Sequence, residues 1–174
     1  MSFLPLAIGG LALAQLAAEA LPWSLRPLFQ EAADQAGAPV DVPLLMALAW
    51  KESGFDAAAV GAANPNGTRD YGLLQINSAN LERFGLTPDS AVTDPVANTR
   101  AAASLLAELA PHARNRGDLI SMYNAGQDKA TGGPKLITTP DGSIHYVNAP
   151  YVDDVLVRYW FVRVADLAPL KRGA

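Results

Sequence analysis

The chain has 174 residues, of which half are apolar and 17% are charged, and its formal net charge is −4 with a pI near 5.0. This composition predicts a folded chain with one hydrophobic core rather than a disordered one. The acidic balance argues against nucleic acid as a partner, since no basic excess can release counterions from phosphates, and the absence of cysteine excludes disulfides and a Cys-ligated zinc site.

The first predicted element is a nearly uncharged segment over residues 3–21, ahead of a single domain predicted for residues 22–174. One interpretation is a secretory signal peptide, because Ala18-Glu19-Ala20 forms an A-x-A cleavage pattern after an apolar core, although no Lys or Arg precedes that core. The run is short for a membrane span. The other interpretation is a retained apolar helix that docks on a partner or contacts a membrane. Both stay open from the sequence.

Two helices are predicted next. Ser24 has the character of an N-cap for an amphipathic helix over residues 25–36, which Gly37 ends. Asp41 caps a second helix, whose apolar residues are expected in the core and which ends at Gly54.

Glu52 lies at the C-terminal end of this second helix, among the apolar neighbours Leu48, Ala49, Trp50 and Phe55. Apolar surroundings and the negative end of the helix dipole both disfavour the ionised carboxylate, so both would raise its pKa. A carboxyl that stays protonated at neutral pH suits a general acid. The alternative is an exposed glutamate in the last helical turn, because glutamate is rarely buried without a partner.

The middle of the chain combines turn signals with helical patterns. Residues 57–70 are rich in Gly, Asn and Ala and contain an Asn-Pro-Asn-Gly turn signal. A short helix is predicted near residues 78–84, and a long Ala/Leu helix over residues 95–110 is expected to form scaffold. Capping of the short helix is the simplest role for Gln75 and Asn77.

Helix and hairpin signals fill the last third. A helix that begins at Asp118 is predicted to end at Gly126, and a β-hairpin is predicted near residues 134–147, because partly alternating segments flank a Pro-Asp-Gly turn. The final helix, over about residues 151–166, is apolar on most faces. We therefore expect it to be central to the domain, with Trp160 buried.

Four motifs occur in order along the chain: Glu52-Ser53-Gly54-Phe55, Gly72-Leu73-Leu74-Gln75-Ile76-Asn77, Tyr123-Asn124-Ala125-Gly126 and Tyr151-Val152. Together they resemble the lytic transglycosylase domain of the soluble (SLT) type, a goose-lysozyme-like domain that cleaves peptidoglycan. The resemblance runs from about residue 25 to about residue 160. Residues 66–78 are also similar to animal c-type lysozymes, whose second carboxylate falls at Asp70 here. Small specialised transglycosylases of conjugation, secretion and pilus systems share this combination.

The resemblance implies a mainly α (α+β) lysozyme-like fold, in which a small β-hairpin near residues 57–72 carries Asp70 across a cleft from Glu52. It also implies cleavage of the β-1,4 bond between N-acetylmuramic acid and N-acetylglucosamine. Glu52 would act first as acid and then as the base that lets the C6 hydroxyl close a 1,6-anhydro ring. No metal or cofactor is implied, and His112 and His145 lie too far apart in sequence to suggest a metal site.

The resemblance further implies a set of substrate-binding residues that position the sugar, its N-acetyl group and Glu52: Ser53, Gln75, Asn77, Tyr123, Asn124 and Tyr151. Two roles stay open for Ser53: it would cap its helix, or it would contact substrate. Asp70 has three open roles: it would stabilise the positive sugar, allow hydrolysis as in a retaining lysozyme, or only accept hydrogen bonds within the hairpin.

Peptidoglycan glycan strands are the expected partner, and the periplasm or the cell exterior is the expected location. In a bacterium the enzyme would clear a path for a secretion, conjugation or pilus apparatus, whereas as a phage virion component it would open the wall during genome entry. The rival from another class is a non-catalytic glycan-binding module that keeps the same fold.

Overall fold

The computed structural model describes residues 21–167, so the expectations for residues 3–20 lie outside the described residues. The helices are α1 (Arg26–Ala36), α2 (Val42–Ser53), α3 (Ser78–Leu81), α4 (Pro88–Thr93), α5 (Pro95–Leu109), α6 (Arg116–Ala125) and α7 (Ala149–Leu167), with short 3₁₀ turns at Trp23–Leu25, Glu82–Phe84 and Ala110–His112. The strands are β1 (Asp70–Tyr71), β2 (Ile76–Asn77), β3 (Leu136–Thr138) and β4 (Ile144–Tyr146). The predicted mainly helical, lysozyme-like class is confirmed. No helix in this part of the chain combines the length and apolar character needed to cross a membrane.

Helix α2 forms the centre of the fold. Its N-cap is Asp41, whose carboxylate accepts a hydrogen bond from the backbone N–H of Leu44 at 2.9 Å. Pro43 fits the first turn, where a backbone N–H would have no helical partner. The stretch Val42–Ala49 is buried apart from that proline, so α2 is enclosed on all sides rather than along one stripe. Gly54, left-handed with φ 62°, ends the helix.

Helix α7 packs most extensively against α2. Its buried residues recur at helical spacing: Val152, Val155, Tyr159, Val162 and Ala165. The opposite face carries an exposed apolar stripe: Val157, Trp160, Phe161 and Val164. The prediction that this helix is central is confirmed for the buried face, which packs against α2. The prediction of a buried Trp160 is wrong, since 58% of that residue is exposed.

Tyr159 is the aromatic residue of α7 that belongs to the core, at 3% exposure, and its hydroxyl donates to Asp41 at 3.1 Å. Tyr159→Ala should lower the free energy of unfolding by about 3–5 kcal/mol, the usual cost of removing a large buried aromatic. Trp160→Ala is the matched control and should cost much less. Denaturant unfolding of both variants checks this, and equal losses would contradict the assignment of the two faces.

The first small sheet lies partly inside the hairpin range predicted at residues 57–72. A single bridge joins Val60 to β1 within that range. The second strand lies beyond it, because the loop at residues 72–75 turns the chain back and places Asp70 opposite Asn77. Asp70 therefore lies on β1, which is flanked by the segment at Val60 on one side and by β2 on the other.

The second hairpin, predicted near residues 134–147, is confirmed by the pairing of β3 with β4, in which Ile137 lies opposite His145. His145 and His112 are both exposed. At the base of the hairpin, the Lys135 ammonium donates to the carbonyl of Ala125, which anchors the hairpin at the end of α6.

Candidate active site

A polar groove of about 380 Å³ crosses the domain between the end of α2, the first small sheet and the end of α6. The residues that line it are Glu52, Asn64, Asn66, Thr68, Asp70, Gln75, Ile76, Asn77, Asn80, Leu105, Tyr123, Asn124, Ala125 and Gly126. Six of these side chains are amides and two are carboxylates, and no Lys or Arg stands among them. Such a lining suits an uncharged ligand rich in hydroxyl and amide groups.

Glu52 is half-buried in the last turn of α2, and its carboxylate oxygen Oε1 accepts a hydrogen bond from the Tyr151 hydroxyl of α7. Burial raises the pKa of Glu52 from 4.5 to about 7. The Tyr151 hydrogen bond and the Lys51 charge oppose this rise, whereas the negative charge of Asp70 adds to it. Glu52 is therefore a carboxyl that still holds its proton in about half of the molecules at neutral pH, and its apolar sequence context predicts such a rise in pKa.

Asp70 lines the same groove from β1. Its two carboxylate oxygens accept hydrogen bonds from side-chain amides, one from Asn77 at 2.7 Å and one from Asn64 at 3.2 Å. Both amides also donate to the hydroxyl oxygen of Thr68, so the three polar side chains and the carboxylate form one network. These hydrogen bonds fix the orientation of the Asp70 carboxylate.

Asn98 of α5 fixes the loop between β1 and β2, although it lies on the helix expected to be plain scaffold. It is buried, its amide donates to the carbonyls of Tyr71 and Ala91, and its oxygen accepts from the Leu74 N–H. Gly72 packs directly against Asn98. Its backbone is left-handed, with φ 80°, and a Cβ at this position would lie 2.4 Å from the Asn98 amide nitrogen. A side chain at position 72 would therefore displace the loop that presents Asp70.

Two residues of the predicted site hold this loop through backbone carbonyls. Gln75 has a left-handed backbone, φ 48°, and its amide nitrogen donates to Gly72 at 2.8 Å and to Ala59 at 3.2 Å. Ser53 donates to the Leu73 carbonyl at 2.7 Å and is absent from the groove lining. The hydroxyl of Ser53 thus ties the end of α2 to the β1–β2 loop.

The end of α6 forms the groove wall near Glu52. The Tyr123 hydroxyl donates to the Leu74 carbonyl at 2.7 Å, and burial of this hydroxyl raises its pKa well above the usual value. Asn124 is exposed, and its side-chain oxygen accepts from the Asn148 amide at 2.9 Å.

The structure brings six of the eight predicted site residues into the groove: Glu52, Asp70, Gln75, Asn77, Tyr123 and Asn124. Ser53 and Tyr151 lie outside the lining. Ser53 is linked to the groove through its hydrogen bond to the β1–β2 loop, and Tyr151 through its hydrogen bond to Glu52. Asn77 also caps α3 by accepting from the Ala79 N–H at 3.0 Å, so its expected capping role is confirmed. Contacts of these residues with substrate stay predictions.

The raised pKa of Glu52 predicts a pH-dependent loss of stability. Between pH 4.5 and about 7, the folded chain retains a proton that the unfolded chain has released. The free energy of unfolding should therefore fall as the pH rises through this window, by up to roughly 3 kcal/mol. Glutamine does not ionise, so Glu52→Gln should melt at a higher temperature than the wild type at pH 8 and at a similar one at pH 4.5. Thermal unfolding at both pH values tests this, and identical pH dependence of the two proteins would contradict it.

Comparison with known proteins relates this groove to a described family. The model of the family "Transglycosylase SLT domain" matches residues 27–132, more than half of the chain. Protein IpgF of Shigella flexneri is 38% identical over 98 residues, which make up 53% of this chain and 64% of that protein. The X polypeptide of Escherichia coli is 34% identical over 94 residues, 52% of this chain and 55% of that protein.

The invasion protein IagB of Salmonella typhimurium is 31% identical over 90 residues, which are 50% of this chain and 56% of that protein. The chain therefore spans less than two thirds of the length of each of these curated relatives. All the residues that line the groove fall inside the matched range of the family, including both carboxylates and Tyr123.

Proposed function

Because this chain belongs to the transglycosylase SLT domain family, we propose that it is a peptidoglycan lytic transglycosylase. It cleaves the β-1,4 bond between N-acetylmuramic acid and N-acetylglucosamine and leaves a 1,6-anhydro-muramoyl end. The observation that carries the proposal is Glu52, a carboxyl whose pKa is raised to about 7 on the wall of a groove lined by amides.

Glu52 serves first as acid and then as base. As the acid, it gives its proton to the glycosidic oxygen, and the bond to the anomeric carbon breaks. As the resulting carboxylate, it takes the proton of the muramoyl C6 hydroxyl, whose oxygen bonds to the anomeric carbon and closes the anhydro ring. The proton count balances, and no water enters. Since Tyr151 donates to Oε1, Oε2 is the oxygen left to carry the transferred proton.

Asp70 stabilises the positive charge that develops on the sugar ring. Its carboxylate is held by Asn64 and Asn77 rather than by a cation, so its negative charge is available to the oxocarbenium-like transition state. The same feature favours a second candidate function, a lysozyme-type muramidase, in which Asp70 assists attack by water.

The amide side chains supply sugar recognition. Asn66, Asn80 and Asn124 line the groove alongside Gln75, and amides offer both donors and acceptors to hydroxyl and N-acetyl groups. No cationic side chain of the described part of the chain lines the groove, which agrees with a glycan as the ligand rather than the carboxylates of a peptide.

We place the activity in the cell envelope, in the periplasm or outside the cell, where peptidoglycan lies. The name of the Salmonella relative, an invasion protein, supports a bacterial setting in which local wall opening serves an assembly that crosses the envelope. A phage virion setting is the alternative, and a non-catalytic glycan-binding module would use the same groove without cleavage.

Digestion of purified sacculi followed by mass spectrometry tests the proposal. The expected products end in 1,6-anhydro-muramic acid and are lighter by one water than hydrolysed products. Reducing-end muramic acid as the main product would identify a muramidase instead. Co-sedimentation with sacculi without any release of fragments would identify a binding module.

A further inference from the structure

Three consecutive residues at the end of α2 each contact a residue of α7. The contacts are the Arg158 guanidinium 4.6 Å from the Trp50 ring centre, the Lys51 ammonium 2.7 Å from Asp154, and the Tyr151 hydroxyl on Glu52. The residues on α7 follow the spacing i, i+3 and i+7, so they share one helical face. This face therefore determines the surroundings of the catalytic acid and of the cation next to it in the chain.

Lys51 is the cation whose charge acts on Glu52, and its charge favours the ionised form of that carboxyl. The Asp154 carboxylate takes up the Lys51 ammonium through one oxygen and binds Arg158 through the other at 2.8 Å. Both cations lower the pKa of Asp154, so it stays ionised across the neutral range. The positive charge of Lys51 is therefore paired with the Asp154 carboxylate on α7.

Among the described residues, titratable or charged groups on four elements act on Glu52 or on its hydrogen-bond partner Tyr151. These are Lys51 on α2, Asp70 on β1, Tyr123 on α6, and Tyr151 with Asp154 behind it on α7. In this set Lys51 carries the positive charge next to Glu52, and Asp154 is its partner. Loss of Asp154 would leave the Lys51 charge without a counterion one residue away from the acid.

We propose that Asp154 is a positioning residue for the reaction: by holding the Lys51 ammonium on α7, it keeps this cation from pairing with Glu52 and leaves the carboxyl to Tyr151. The inference deepens the proposed function and rests on Glu52 as the acid of that function. It assigns a role to a charged cluster outside the groove, since none of its members lines it.

The test is the pH dependence of sacculus digestion by Asp154→Asn. With Lys51 unpaired, Glu52 should lose its proton at a lower pH, so the alkaline limb of kcat/KM should move to lower pH. For a shift of about one pH unit, activity should fall roughly fivefold at pH 7 and little at pH 5. Asp153→Asn is the matched control: it removes the same charge from the neighbouring exposed residue of α7 and should keep the wild-type profile.

Removing the lysine charge should restore the profile, so Lys51→Met added to Asp154→Asn should return the alkaline limb to its wild-type position. A loss of activity at all pH values that Lys51→Met does not rescue would overturn the inference and indicate a structural role only. A profile of Asp154→Asn that matches Asp153→Asn would overturn it as well.

A second measurement separates this inference from the proposed function. The ¹³C NMR shift of the Glu52 carboxyl, followed against pH in the folded proteins, should show a lower midpoint in Asp154→Asn than in the wild type, whether or not sacculi are cleaved. Equal midpoints would overturn the inference. A wild-type protein that titrates as expected but releases no fragments would instead overturn the proposed function.

Discussion

Glu52→Gln should abolish peptidoglycan cleavage and leave the fold intact. Glutamine keeps the size of the side chain, and its amide oxygen can still accept the Tyr151 hydrogen bond, but it cannot deliver a proton to the leaving oxygen. Loss of general acid catalysis should cost at least about 10²-fold to 10⁴-fold in rate. Release of soluble fragments from purified sacculi, followed over time against the wild type, measures this loss.

Glu82→Gln is the control for the loss of a carboxylate in general, because Glu82 is exposed on the 3₁₀ turn after α3. This variant should digest sacculi at the wild-type rate. The Glu52 variant should still co-sediment with sacculi, since the amides that line the groove are unchanged. Digestion by Glu52→Gln at near the wild-type rate would exclude Glu52 as the acid and with it the proposed mechanism.

The surroundings of Glu52 were predictable because local signals determine them. A cap at Asp41 and a left-handed glycine at position 54 set the ends of α2, and an uninterrupted apolar run shows that the helix is enclosed. A carboxyl in its last turn must then be partly desolvated, which is the main cause of its raised pKa. The resemblance to this family is likewise confirmed by the match to the family model, whose range includes three of the four motifs and ends before Tyr151-Val152.

Long-range partners could not be predicted from these signals. The hydrogen bond from Tyr151 to Glu52 joins residues that are far apart in the chain, and in the sequence only the family resemblance points to a positioning role for the tyrosine. Asn98 was missed altogether, because an Asn within an Ala/Leu helix has no local signal for a buried role. Its place becomes clear only once α5 packs behind the β1–β2 loop.

Trp160 shows a different limit of prediction from the sequence. A helix that is apolar on most faces has more than one face able to enter the core, and periodicity alone does not say which face is covered. Tyr159 reaches Asp41 at the N-terminus of α2 and occupies the buried face. Trp160, next in the chain, is therefore rotated towards the outside, where its ring meets that of Tyr159 edge to face.

Asp70→Asn should slow cleavage by roughly 10²-fold without changing the product, which should still end in 1,6-anhydro-muramic acid. Asparagine is nearly isosteric, but it has no negative charge to place against the oxocarbenium-like transition state. Rates of fragment release and mass spectrometry of the fragments measure the two parts of this prediction. Asp89→Asn, at an exposed position in the first turn of α4, should leave both unchanged.

Asp70→Asn is expected to form the same product as the wild type because ring closure does not depend on Asp70. The C6 hydroxyl belongs to the same sugar as the anomeric carbon, and such intramolecular positioning is worth up to roughly 7–11 kcal/mol against a competing bimolecular attack. Water can compete only if a second carboxylate activates it. If the wild type yields mainly reducing-end muramic acid and Asp70→Asn loses that product, Asp70 is the second catalytic carboxylate of a lysozyme, and the network of Asn64, Thr68 and Asn77 serves to orient it for hydrolysis.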